Sequence, residues 1–151
     1  MAGYYNAPEK TVEAWRNLWF HTGDLGVFDE HGILTFIDRI KDCIRRRGEN
    51  ISATEIESIL VDLDGVAELS AFAVPSEIPG GEDEIMLAIV ADEGSELDLV
   101  ELGKAADELL PRFARIRYLE RFSELPRTAT GKIQRKQLQD HGRDNAFDRG
   151  I

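Results

Sequence analysis

Apolar positions recur along this chain with two periods, two residues in some stretches and close to 3.6 in others. "LGVF" and "ILTFI" are short β-prone runs on either side of "DEHG", whose Asp-to-Gly composition suits a tight connection, so a hairpin is predicted over residues 25–37. "CIRRRGENIS" reads as a short strand and a glycine turn ending at Ser52, which with Glu55 makes a capping box. Ile56, Ile59, Leu60 and Leu63 follow at helical spacing and predict a helix with a core-facing stripe. "VAELSAFAV", ended by Pro75, and "IMLAIVA" predict two strands joined by "PSEIPGGEDE", which is too polar and glycine-rich to bury. "DLVELGKAADELL" predicts an amphipathic helix stopped by Pro111, "IRYLERF" a further strand, and a last helix begins near Gln134. The order after residue 41 is strand, helix, strand, strand, helix, strand, helix. This is an α+β pattern: a small central β-sheet flanked by helices and preceded by an N-terminal β-hairpin segment. The final "GRDNAFDRGI" reads as a loosely held tail, and Trp15, Trp19 and Phe20 as packing residues of a core or domain edge.

Composition narrows the classes. With 151 residues and 42% hydrophobic content the chain can bury a workable core as one domain with an appendage. No apolar run approaches the roughly 18 residues that cross a bilayer, and "MAGYYNAPEK" lacks the basic and apolar regions of a signal peptide, so a cytoplasmic protein is expected. Cys43 is the single cysteine, which excludes an internal disulfide, and the three histidines are scattered, so no metal site is expected. His21 and His31 lie in turn regions without a nameable partner and read as structural or solvent-facing. A net charge of -11 argues against nucleic acid as a partner. Positive charge is nonetheless concentrated: residues 38–47 hold five of the 18 basic residues and residues 112–136 hold eight.

The second basic segment contains "TATGK", residues 128–132, with a lysine after a glycine as in phosphate-binding loops. The P-loop pattern fails here, because Pro126 stands where its first glycine belongs and Ile133 where its hydroxyl belongs. If Lys132 works on phosphates, most of its site lies elsewhere.

Taken together, "GYYNAPEKT", "WFHTGDLG", "DRIKDCIRRRGENIS", "EIES" and "LPRTATGKIQRKQL" resemble, in order and approximate spacing, the carboxyl-terminal part of the adenylate-forming (AMP-binding, acyl-CoA synthetase) superfamily. "RIKD", "RRRGENIS" and "GGEDE" look most like bacterial crotonobetaine/carnitine-type acyl-CoA ligases. The resemblance implies an ATP-dependent acyl-CoA ligase, with magnesium accompanying ATP. A carboxylic acid attacks the α-phosphate of ATP to give acyl-AMP and pyrophosphate, and the thiol of coenzyme A then displaces AMP, with a small mobile domain swinging between two poses.

By the same resemblance Lys132 matches the lysine that enters the site for adenylation, where an ammonium offsets developing charge. Asp24 matches the aspartate that accepts both ribose hydroxyls, and Arg39 an arginine near ribose and phosphates. Lys41 falls at the hinge. Gly48 and Glu49 match the turn bordering the coenzyme A channel, although a positive-φ turn is an equal reason for Gly48. Arg45, Arg46 and Arg47 either meet coenzyme A phosphates together or alternate sides of a strand with one useful.

The family's large amino-terminal domain, with its phosphate loop and acyl pocket, has no counterpart here. Residues 1–40 are therefore expected to be the trailing segment of that domain, 41–141 a mobile C-terminal domain and 142–151 a tail, the isolated chain being inactive. Two alternatives stand beside the ligase: a stand-alone binding module docking a partner protein or a separate large domain, and an adenylation domain loading a carrier protein.

Overall fold

The computed structural model describes residues 2–151, in two compact units, the first ending at Lys41 and the second spanning Asp42–Ile151. In the first, helix α1 (Pro8–Ala14) opens on proline, whose fixed φ suits a first helical turn. It is followed by a 3-10 turn, Arg16–Leu18. Strands β1 (Asp24–Phe28) and β2 (Leu34–Arg39) then pair antiparallel with a bulge at Leu25/Gly26. The predicted hairpin is present, and its connection is closed by Asp29, whose Oδ1 accepts from the backbone N–H groups of His31 and Ile33. Its apolar side chains are not covered within the unit: Val27, Phe28, Ile33, Leu34 and Phe36 are all exposed. Trp15 and Phe20 meet as a tilted pair with centroids 5.4 Å apart, and Trp19 is exposed, so none of the three is a core residue.

The second unit carries the α+β architecture. Residues 43–52, expected as one strand and a turn, form a complete hairpin of β3 (Cys43–Arg46) and β4 (Glu49–Ser52). Ser52 caps helix α2 (Ala53–Leu60), its hydroxyl accepting from the Glu55 N–H at 3.1 Å. Strands β5 (Val66–Pro75), β6 (Asp83–Ala91), β7 (Tyr118–Phe122) and β8 (Phe147–Asp148) form one mixed sheet in that order, in which only β6 and β7 are parallel. Helix α3 (Leu99–Leu109) makes the crossover between the parallel pair, and α4 (Arg135–His141) precedes β8.

Strand β6 shows why the sheet sits between two layers. Its residues alternate faces: Ile85, Leu87 and Ile89 join one core with Ile44, Ile56, Leu60 and Leu102, while Met86 and Ala88 join a second with Phe72, Tyr118 and Leu138. A strand buried on both faces reads as an unbroken apolar run, as "IMLAIVA" does. Within the α2 stripe, Ile56 and Leu60 are buried, Leu63 packs at the core edge, and Ile59 is exposed.

The last ten residues are held rather than loose. Strand β8 pairs with β7, Asp148 binds Arg117, and Arg149 donates to both carboxylate oxygens of Asp107 and to the Ile116 carbonyl. Gly103 of α3 makes room for this arginine, since a Cβ there would lie 2.6 Å from Arg149 Nε. Among the described residues no helix is long and apolar enough to cross a membrane.

Candidate functional site

The expected residues fall into three places. In the first unit, Asp24 opens β1 and Arg39 closes β2, and the register sets them opposite one another. Arg39 Nε lies 3.3 Å from Asp24 Oδ1, both side chains remaining well exposed. They border a cleft of about 750 Å³ lined also by Arg16, His21, Thr22 and Lys41. A carboxylate acceptor and a guanidinium donor side by side at a cleft suit a group that carries both hydroxyls and phosphate. Lys41 is exposed and is the last residue of this unit.

The second place is the turn of the β3–β4 hairpin. Arg47 and Gly48 both have positive φ, 54° and 79°, the pairing of a tight two-residue hairpin turn. Gly48 has open space where a Cβ would project, so glycine is required there by backbone conformation and not by crowding. Its N–H donates to the Glu82 carboxylate, 3.1 Å from each oxygen. Glu49 is exposed beside it.

Strand alternation separates Arg45 from Arg46, and Arg47 lies in the turn beyond the strand. Arg45 and Arg47 face outward, whereas Arg46 is 2% exposed, lies 2.7 Å from Glu84 Oε2 and donates to the Arg115 carbonyl at 2.5 Å. Burial draws the Arg46 guanidinium below its ordinary value, and the Glu84 carboxylate opposes that shift. Arg46 therefore anchors the hairpin to β6, leaving Arg45 and Arg47 as the cations able to meet a ligand.

The third place is the loop of Lys132. Thr128 N–H donates to the Lys132 carbonyl at 2.8 Å, and Gly131 N–H to the Thr128 carbonyl at 2.9 Å. Thr128 Oγ1 accepts from the Lys132 N–H at 3.1 Å. Gly131 turns the chain with φ of 82°. Lys132 is exposed, and its ammonium pairs with no carboxylate among the described residues.

The loop is fixed at both ends. On one side Arg127 reaches Glu68 of β5 at 2.7 Å. On the other, Arg135 at the start of α4 donates to Glu57 at 2.6 Å, while the other Glu57 oxygen accepts from Ser70 Oγ and the Ala71 N–H. Arg135 also lies 3.9 Å from Asp42, the first residue of this unit.

The turn and the loop are moored at opposite ends of the same strand pair. Glu68, which holds the Lys132 loop, lies opposite Val90, and Glu82, which holds the Gly48 turn, directly precedes Asp83, the partner of Pro75. At about 3.4 Å per residue, the ladder between those two pairs is roughly 24 Å long. Sequence reading missed these supports. Glu57, Glu82 and Arg127 lie inside quoted motifs, but nothing local marks Glu68 or pairs either anchor with its partner, which is 59 residues away for Glu68 and 34 for Glu82.

Residues 55–132 match the model of the family described as AMP-binding enzyme C-terminal domain. The chain is 40% identical over 139 residues to a probable CoA ligase, CCL9, of Humulus lupulus, covering 92% of this chain and 26% of that protein. It is 35% identical over 144 residues to 4-hydroxybutyrate–CoA ligase 2 of Metallosphaera sedula, covering 95% and 26%. Among solved structures, ATP-bound MatB from Rhodopseudomonas palustris aligns with a TM-score of 0.81 at 30% identity, over 95% of this chain and 28% of that one. The chain thus spans about a quarter of the length of the curated relatives it matches.

Proposed function

We propose, from the premise that this chain belongs to the AMP-binding enzyme C-terminal domain family, that it is the carboxyl-terminal part of an ATP-dependent acyl-CoA ligase. In this reading Lys132 brings an unpaired ammonium to the carboxylate and phosphates during adenylation. Asp24 accepts the ribose hydroxyls and Arg39 contributes positive charge nearby. Gly48 and Glu49 form the edge of the passage for the coenzyme A thiol, with Arg45 and Arg47 facing outward beside it. Magnesium accompanies the ATP phosphates in this reading.

One observation carries the two-pose part of the proposal. The Lys132 loop and the Gly48 turn are moored roughly 24 Å apart along the β5–β6 ladder. Anchors this far apart support a domain that presents the loop and the turn to one reaction centre in succession. Lys41, at the boundary of the two units, is the pivot in this account. The partner is the large AMP-binding domain, which would cover the exposed apolar side chains of the hairpin, Val27, Phe28, Leu34 and Phe36. A cytoplasmic setting belongs to the same reading. The narrower likeness to crotonobetaine/carnitine ligases rests on "RIKD", "RRRGENIS" and "GGEDE".

The test is to express the full-length protein and screen carboxylic acids for pyrophosphate release with and without coenzyme A. The proposal expects release that depends on ATP and a particular acid, with continuous turnover and an acyl-CoA product once coenzyme A is added. Turnover only with a phosphopantetheinyl carrier protein would assign the chain to a carrier-loading enzyme. No acid-dependent release by the folded protein with either thiol would contradict the ligase reading.

A further inference from the structure

We propose that Arg127 is a positioning residue for adenylation, acting on Lys132 through the peptide group that precedes it; the inference rests on the role given to Lys132 above. The Gly131 carbonyl and the Lys132 N–H belong to one planar peptide unit, so holding both groups fixes the plane from which the lysine side chain departs. Both are held. Arg127 Nη1 donates to the Gly131 carbonyl at 2.7 Å, and the Lys132 N–H donates to Thr128 Oγ1 at 3.1 Å. The second arm of the same guanidinium, Nη2, donates to Glu68 Oε2 at 2.7 Å. One planar fork therefore ties the peptide of an exposed loop to strand β5 of the sheet, a task that suits the rigid geometry of arginine.

The surroundings separate positioning from general stability. Arg127 and Glu68 are 41% and 42% exposed, and an ion pair so open to water adds little to the stability of a fold. The loop also has Gly131 in the left-handed region with nothing near its Cβ position, so no side-chain packing restrains it at that point. The Gly48 turn is held by Glu82 at the far end of the ladder and does not depend on Arg127. Loss of the fork should leave fold and turn in place while the lysine is aimed less well, and small misplacements of a reacting group cost large factors in rate.

The experiment measures both half-reactions and the melting temperature of full-length Arg127→Ala, Arg127→Lys and Lys132→Ala proteins. Arg127→Ala is expected to slow adenylation by about 10- to 100-fold. Thiolysis of supplied acyl-adenylate should stay within about twofold of wild type and the melting temperature within about 2 °C, as fits loss of an exposed pair. Arg127→Lys should recover part of the adenylation rate, because an ammonium can still donate to the Gly131 carbonyl but cannot reproduce the fork. Unchanged adenylation in Arg127→Ala, with Lys132→Ala impaired, overturns the inference alone. Both half-reactions falling together with the melting temperature also overturns it, since Arg127 would then be only a structural residue. If Lys132→Ala itself adenylates normally, the role of the lysine fails and the positioning role fails with it.

Discussion

Gly48 shows what a single residue can be asked to decide. Its φ of 79° and the empty space at its Cβ position separate two reasons for glycine that sequence left equal. Any L-residue here adopts the left-handed conformation at a cost of about 1–2 kcal/mol, whereas bulk matters only if something else approaches the turn. Gly48→Ala should therefore lower stability to denaturant by about 1 kcal/mol, with Gly48→Asn closer to wild type because asparagine tolerates this region. Equal stability of glycine and alanine proteins would show that the turn relaxes to another conformation. At the same scale, the three adjacent arginines could not be separated from sequence. Alternation supplies two faces, but which face is inward depends on Glu84, 38 residues beyond Arg46 in the numbering.

At the scale of elements, legibility followed burial. Strand β6, buried on both faces, and α2, with its capping serine and apolar stripe, declared themselves through period and cap. Strand β8 did not, because two residues give no period and its attachment, by pairing with β7 and by ion pairs, is to residues distant in the chain. Arg117 is shared by Asp148, Glu84 and Glu77. Hydrogen bonding from Arg117 holds the Asp148 carboxyl below its ordinary 3.8 against the opposing effect of burial, and the Gly150 N–H adds to the lowering. A lowered folded-state value stabilises the fold fully above the ordinary value and progressively less as pH falls through it toward the folded one. Wild type should therefore melt above Asp148→Asn at neutral pH, and the gap should close as pH drops below 3.8. A gap unchanged from pH 7 to 3 would mean that the tail is held by packing and not by this charge. Helix α1 was missed for a related reason: it buries no residue, so "PEKTVEA" carries no apolar stripe.

At the scale of the whole molecule, the motifs named the candidate residues but not their separation. Asp24 and Arg39 share the cleft of one unit, while Glu68 and Glu82, which anchor the Lys132 loop and the Gly48 turn, stand toward opposite ends of a strand pair in the other. That separation arises from the β5–β6 register and from the pairings of Glu68 and Glu82 with distant partners, which no local pattern in the chain exposes. Alternate presentation of the two ends is the central claim, and it is tested by measuring adenylation and thiolysis separately in full-length Lys132→Ala and Gly48→Leu proteins. The account predicts crossed losses: Lys132→Ala slows adenylation by about 100-fold or more, as for loss of a charged transition-state contact, and nearly spares thiolysis of supplied acyl-adenylate. Gly48→Leu obstructs thiolysis and leaves adenylation close to normal. Equal loss of both half-reactions in each variant, tracking melting temperature, would contradict it.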